Sequence, residues 1–288
     1  NGSITTSGSG AMALGGSYAS GADSLAAAIA NNTSSYGATG ANSIAMGKLT
    51  KATATSSVAI GESNTANSTS AIAMGYNSTA SAAYATCIGR SGTASGQNAS
   101  SLGGRSGLAT GESSTTVGGR SNKAYADYAV AMGYWTLADK IGQFSYASGR
   151  FSGDGDAQTS KFVLRSDTTD ATAEALTTNN STASTDNQVV LPNNSAFAFH
   201  GTIVARQQAA DGTACAAWKV EGLIRREGSA GTTVLVNSAT TVLDNTPNWG
   251  MALSADTTNG GLAITCTGAA STDIRWVATI HTSEVTYA

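Results

Sequence analysis

The chain has 288 residues, of which 41% are hydrophobic and only 11% charged, with 34 glycines, 2 prolines and a formal net charge of −3. There is no block of lysine and arginine to neutralise phosphates, so nucleic-acid binding has no electrostatic footprint, and no apolar run approaches the roughly 18 residues of a membrane span. Hydrophobic residues set in a fixed period point to order despite the low charge.

The chain begins Asn1-Gly2-Ser3, without an initiating methionine or a signal-peptide pattern, and reads as a fragment or a processed product. From Ile4 to Tyr36 a repeat is already discernible, with Met12-Ala13-Leu14-Gly15 as its first tetrad and Ala27-Ala28-Ile29-Ala30 as a degenerate one. Leu25 to Ala30 also reads as a short helical turn, because alanine is the best helix former. From Ser43 to Gly133 the repeat is explicit. Ile44-Ala45-Met46-Gly47 returns as Val58-Ala59-Ile60-Gly61 and Ile72-Ala73-Met74-Gly75, and more weakly as Thr86-Cys87-Ile88-Gly89 and Ser100-Ser101-Leu102-Gly103. After Gly103 the period lengthens by one residue, to Thr115-Thr116-Val117-Gly118 and then Val130-Ala131-Met132-Gly133.

The tetrad alternates with the period of a strand: Ile44 and Met46 point one way and Ala45 the other, while Gly47 lets the chain turn. A second alternation of tiny residues follows, at Ala52 and Ala54, Ala66 and Ser68, Ala80 and Ala82, Ala94 and Gly96. Two short strands in 14 residues describe one coil of a parallel solenoid, in which equivalent residues stack at strand spacing. Such a coil has room for two thin faces and almost no core. The stripe of Ile, Val, Met and Leu is therefore expected to stay exposed on a single chain, and further copies of the same chain are the economical cover.

The stretch NSIAMGKLTKATATSSVAIGESNTANSTSAIAMG resembles the head repeats of trimeric autotransporter adhesins of the YadA type, which also occur in phage tail fibres. The resemblance covers roughly Ala11 to Gly149 and implies a left-handed parallel β-roll with three copies packed around an axis. The sequence departs from the pattern at Ala30, where a glycine is expected, in the overlong stretch from Asn31 to Ala41, and in the doubled glycines Gly103-Gly104 and Gly118-Gly119.

Aromatic residues at Tyr134-Trp135 and Phe144-Ser145-Tyr146 suggest that the roll is capped there and handed over to a second domain. The expected division is residues 1–150 for the roll and 151–288 for the second domain. Ser152 to Gln158 reads as a turn-rich connector, Lys161 to Arg165 as a strand, and Asp167 to Asp186 as a long exposed polar loop or an irregular excursion. Ser195 to Gln208 and Ala214 to Glu227 flank Asp211-Gly212, a strong hairpin signal. Trp249 to Ala255 and Leu262 to Thr267 flank Asn259-Gly260-Gly261 in the same way. Thr232 to Val236, Ala239 to Leu243 and Asp273 to Thr286 add strands. The whole predicts an antiparallel sandwich of roughly eight strands with Trp218, Trp276, Phe197, Phe199, Ile203 and Ile224 in its core.

Groups able to do chemistry are sparse. His200 and His281 sit singly in strand alternations, without the partners that a triad or a zinc site requires. Cys87 occupies an alanine column as a small thiol; Cys215 and Cys266 read as a disulfide or as two buried free thiols. Asp154 and Asp156 suggest a calcium pair, but a turn explains them better. Glu62, Glu112, Asp127 and Asp139 are scattered near turns, short of the paired carboxylates that glycoside cleavage requires unless protomers combine them. Asn67-Ser68-Thr69 and Asn77-Ser78-Thr79 match the glycosylation triplet as chance allows in this composition. Thr53 and Thr55 do not recur at fixed offsets, against an ice-binding ladder.

The expectation is an all-β protein without catalytic, cofactor-binding or metal-binding residues. It reads as a homotrimeric phage tail fibre segment, with the roll as shaft and the sandwich as a distal tip that recognises a host glycan or outer-membrane protein. Other tail proteins would join at its N-terminal side, and it would be part of the virion, outside the cell. The alternatives are the head of a bacterial trimeric autotransporter adhesin, on the cell surface, and a tailspike-type polysaccharide depolymerase. The final alternation, from Ile280 to Ala288, is a single strand and too little for a transmembrane barrel hairpin.

Overall fold

The computed structural model describes residues 5–27, 35–208 and 213–287. It divides into two compact units, residues 1–137 and 138–288. Among the described residues the regular structure is β throughout, apart from a 3-10 turn at Ala230–Thr232.

The first unit is a parallel β-solenoid of about nine coils. Each coil has one longer strand, such as Ile44–Lys48, Val58–Glu62 or Ile72–Tyr76, and one strand of two residues, such as Lys51–Ala52 or Thr65–Ala66. Equivalent residues stack in strict register: Ile44 on Val58 on Ile72, Ala45 on Ala59 on Ala73, Met46 on Ile60 on Met74. The second strand is shorter than the alternation suggested. Ala52 is buried inside the coil, whereas Ala54 lies in the turn beyond it. Near the N-terminus the repeat begins two residues earlier than expected, because Leu25, Ala26 and Ala27 pair with Met12, Ala13 and Leu14 on one side and with Ile44, Ala45 and Met46 on the other. Leu25–Ala27 is thus a strand and not a helical turn; Ala28, Ile29 and Ala30 lie outside the described residues.

The tetrad glycines recur for a steric reason. Gly47, Gly61 and Gly75 have φ of 113°, 118° and 114°, and a Cβ on each would lie 2.0–2.1 Å from the carbonyl oxygen of the glycine in the next coil. Only glycine accepts both the backbone angle and the approach. The doubled glycines account for the 15-residue coils: Ile88 pairs with Leu102, 14 residues on, but Arg90 pairs with Arg105, and the extra residue is taken up as a bulge at Gly103-Gly104. Coils also turn through left-handed residues, such as Asn42, Ser56 and Ser70 at one corner and Leu49, Ser63 and Asn77 at the other. Asn tolerates this conformation best.

The interior is one residue thick. Ala26, Ala45, Ala59, Ala73, Cys87 and Ala131 from the long strands, and Ala19, Ala38, Ala52, Ala66, Ala80, Ala94, Ala109 and Ala124 from the short ones, are wholly buried. Buried polar side chains stitch coil to coil. The Asn64 amide donates to the Ile60 and Gly75 carbonyls, both at 2.7 Å, and accepts the Ser78 N–H at 2.8 Å. Asn122 repeats the arrangement with the Gly118 and Gly133 carbonyls and the Thr136 N–H.

The second unit is an antiparallel two-layer sandwich, its strands numbered β1 to β10 in chain order. They are β1 (Phe144–Ala147), β2 (Ala157–Thr168), β3 (Ala173–Ala175), β4 (Val189–Val190), β5 (Ser195–Gln207), β6 (Cys215–Arg226), β7 (Val234–Asp244), β8 (Gly250–Asp256), β9 (Gly261–Thr267) and β10 (Ile274–Thr286). The large sheet runs β1-β2-β10-β5-β6-β7; in the small one β9 carries β3 and β4 on one edge and β8 on the other. Both hairpins form as read, although residues 209–212 at the first turn lie outside the described residues. All six expected core residues are buried between the sheets, and Trp276 stacks on Trp218 with ring centroids 5.8 Å apart.

Two expectations are corrected. The two strands expected at Thr232–Val236 and Ala239–Leu243 are one long strand, β7, which begins at Val234 after the 3-10 turn that holds Thr232, and a bulge opposite Leu223 and Ile224 of β6 keeps the pairing going past the break in alternation. The polar run Asp167–Asp186 is not simply an exposed loop: β3 lies within it, and Leu176 and Thr177 are buried, with Thr177 bridging to Arg165. Phe144 and Tyr146 are exposed, while Ser145 and Ala147 between and beside them are buried, so these two rings line the surface.

Replacing Asn64 by alanine removes the side-chain partner of the buried Ser78 N–H and of the part-buried Ile60 and Gly75 carbonyls and is expected to cost the roll about 2–4 kcal/mol. The same change at exposed Asn67 is expected to stay within about 0.5 kcal/mol. Denaturant unfolding of both variants checks this.

Candidate functional site

Two surfaces remain open once each unit has formed its core. On the roll, the side chains that flank the buried alanines stand outward as a continuous ladder: Met46 is 40% exposed and Ile88, Leu102 and Val117 each 39%, with Ile44, Val58, Ile60, Ile72 and Met74 half-buried. No charged residue interrupts this column from Ile44 to Met132, because each occupant is fixed by the same tetrad position.

On the second unit, strand alternation sends Phe162, Leu164, Phe197, Ile203, Trp218 and Trp276 into the core and presents their neighbours on the opposite face of the large sheet. Register arranges those neighbours in rows. One row reads Lys161, His281, His200, Glu221, Ala239, and the next reads Val163, Thr279, Thr202, Lys219, Thr241. Beyond it lie Val277 and Val204. Together His200, Thr202, Lys219, Glu221, Thr241, Thr279 and His281 line a groove of about 520 Å³. The two imidazoles stack, with centroids 5.3 Å apart and planes 9° from parallel. Partial burial, then the neighbouring His200 and then Lys161 hold the His281 pKa below the ordinary imidazole value.

The two histidines, far apart in sequence and each read as isolated, are therefore direct cross-strand partners. The pairing was missed because it depends on the register of β10 against β5, which no local pattern encodes. The acidic residues are not brought together as a catalytic pair. Glu62 pairs with Lys48 at 3.0 Å and Asp139 with Lys140 at 2.9 Å. Glu112 and Asp127 stand in successive coils, where the Asp127 carboxylate accepts the Glu112 N–H at 2.8 Å. Asp154 pairs with Arg150. Asp156 accepts N–H groups from Phe151, Ser152 and Gly153; burial alone would raise its pKa, but these donors and Arg150 hold it low, as in a tight turn. Among the described residues no group of three or more His, Cys, Asp or Glu side chains could hold a metal ion.

All three cysteines are free thiols; Cys215 is exposed rather than buried. Burial raises the Cys87 thiol and pushes Cys266 up to about 12, which makes both poor nucleophiles at neutral pH.

One titratable group went unnoticed in the sequence. Glu284 points inward from β10 into a polar part of the sandwich interior, where it meets the Thr282 hydroxyl and the Gln158 amide beside the Ser145–Ser160 hydroxyl pair. Burial raises its pKa.

Residues 38–62 and 66–91 each match the YadA head domain repeat. The chain thus carries two copies of the YadA head repeat on a parallel β-solenoid. Comparison with curated proteins finds no match. Among solved structures it is similar to the tailspike gp49 of Acinetobacter baumannii bacteriophage Fri1, described as a capsular polysaccharide depolymerase, with 10% identity over 90% of this chain and 44% of that one and a TM-score of 0.26. The Acinetobacter phage vB_ApiP_P1 tailspike follows, with 13% identity, 85% and 50% coverage and a TM-score of 0.24. The tailspike of Acinetobacter baumannii phage AM24 has 9% identity, 79% and 49% coverage and a TM-score of 0.25. The chain spans about half the length of these proteins, and scores this low carry no inference about its activity.

The raised Glu284 pKa fixes a sign. Below the ordinary carboxylate value of 4.5 both folded and unfolded states hold the proton, and stability falls as pH rises towards and through the raised folded value. Glu284→Gln, with Gln158 rotating its amide to match, is expected to melt above the wild type at neutral pH and level with it in acid. Thermal melts across that range check it.

Proposed function

We propose that this chain is a segment of a trimeric phage tail fibre, with the roll as its stiff shaft and the second unit as the part that contacts the host surface. One observation carries the reading: the outward apolar ladder of the roll, which a coil with an alanine interior leaves uncovered. Burying the rest of each such side chain stabilises by about 1 kcal/mol, and over roughly a dozen of them the sum is of the order of a whole domain's net stability. Two further copies, each presenting the same ladder to a common axis, supply matching cover along the full rod. The resemblance of the repeat to YadA-type heads, which also occur in tail fibres, agrees with this arrangement. Three identical tips then make weak contacts with a host glycan or outer-membrane protein hold firmly.

The YadA head match also favours a second reading, the head of a trimeric autotransporter adhesin. The two are told apart by location. Antibodies against the chain are expected to label the tails of virions in electron micrographs; labelling of the surface of uninfected bacteria would support the adhesin instead. Because Glu62, Asp139 and Asp154 are engaged in ion pairs and Asp127 and Asp156 accept backbone N–H groups, the purified protein is expected to release no sugar from host polysaccharide. Release above buffer controls, lost in Glu112→Ala or Asp127→Ala, would reinstate the depolymerase.

The ladder itself is tested by charge. Replacing Ile72 and Met74 together by Asp is expected to leave only aggregated or unfolded chain. Tyr84→Asp, at an exposed left-handed corner where Asp is at ease, is expected to behave as the wild type. Light scattering and circular dichroism on both variants give the answer, and a compact strand-rich monomer from the double variant would contradict the trimer.

A further inference from the structure

We propose that the groove on the outer face of the β2-β10-β5-β6-β7 sheet binds a carboxylate-bearing sugar unit of a surface polysaccharide. This deepens, and rests on, the assignment of the second unit as the host-contacting part. The groove of about 520 Å³ falls within the range of small-ligand clefts, about 300–1,000 Å³. Its lining combines three kinds of group: the hydroxyls of Thr202, Thr241 and Thr279, the Lys219 ammonium with the stacked His200 and His281 rings, and the Glu221 carboxylate.

This set selects among ligand classes. An apolar ligand would desolvate Lys219 and Glu221 without return. Among the described residues these two enter no ion pair and are open to a ligand. A phosphate would find no arginine fork in the lining, and its second negative charge would be repelled by Glu221 more strongly than a single carboxylate is. A hydroxylated ligand with a single negative charge uses everything present: its carboxylate faces Lys219 and the imidazoles, its hydroxyls donate to Glu221, and the threonines take either role.

The charged groups that face the site are Lys161 on β2, His281 on β10, His200 on β5, and Lys219 and Glu221 on β6; β7 contributes Ala239 and Thr241. In the free protein Lys161 and His200 disfavour the charged form of His281. A bound carboxylate reverses that balance. Affinity therefore rises as pH falls into the imidazole range, and at higher pH Lys219 alone supplies the attraction.

The test is calorimetry on the full chain with oligosaccharides of glucuronic, galacturonic and mannuronic acid and with sialyllactose, each beside its carboxyl-reduced form. At least one acidic probe is expected to bind about tenfold more tightly than its reduced partner, and several-fold more tightly at about pH 5.5 than at about pH 7.5. Lys219→Ala and the double variant His200→Ala/His281→Ala are expected to weaken it about tenfold, with circular dichroism unchanged. The His double variant is also expected to lose the pH dependence. The proposal falls if no acidic probe binds, if reduction of the carboxyl makes no difference, or if Lys219→Ala binds as the wild type does. The host-contacting assignment is judged separately, by whether the wild-type chain blocks adsorption of virions to host cells. Blocking that survives in Lys219→Ala overturns the groove and leaves the assignment standing, whereas absence of blocking by the wild type overturns both.

Discussion

A coil whose thin interior is filled by alanine and a few other small or polar side chains does not bury its own Ile, Val, Leu and Met residues, and the architecture of the first unit follows from that limit. The tetrad glycines set the limit. At Gly47, Gly61 and Gly75 they let successive backbones approach until a Cβ would meet the next carbonyl at about 2 Å, and the coils there stack without a register shift. Columns of alanine, with Cys87, Ser101 and Thr116 in the same inward positions, then fill the space between the two strand ladders. The Ile, Val, Met and Leu side chains of the tetrads stand outside. The ladder of Ile, Val, Met and Leu is thus a by-product of the same repeat that stacks the coils, and it is also the surface through which copies of the chain are proposed to meet.

The second unit resolves the burial problem differently. Its two sheets enclose three tryptophans and a cluster of long side chains, so it fills its own interior without help. Because the small sheet covers only one face of the large one, the other face is free to carry polar groups in rows. Strand pairing gives these rows a precision that loops lack. Lys161, His281, His200 and Glu221 come from four different strands, yet each is fixed by backbone register with its neighbour. The stacked imidazoles are a direct result.

The repeat was legible because it depends on local chemistry: one glycine, one alternation and one spacing determine strand, turn and stacking at once. The doubled glycines could be seen as irregularities, but their role as bulges could not, since a bulge is defined against the neighbouring coil. The hairpins on either side of Asp211-Gly212 and Asn259-Gly260 were equally plain. Long-range pairing was not. That Ala157–Thr168 pairs with Ile274–Thr286, and that the latter lies beside Ser195–Gln207, has no signature in either segment. For that reason two histidines read as solitary proved to be partners, and Glu284 passed unnoticed among threonines. The break between Val236 and Ala239 misled because a bulge preserves a strand that loses its alternation.

The central claim is that the roll's apolar ladder is closed by two further copies of the chain. Native mass spectrometry of the wild-type protein, diluted through the micromolar range, addresses it most directly. The account predicts one species at three times the 28.6 kDa chain mass, persisting on dilution. A folded monomer of 28.6 kDa as the dominant species at every concentration would contradict it.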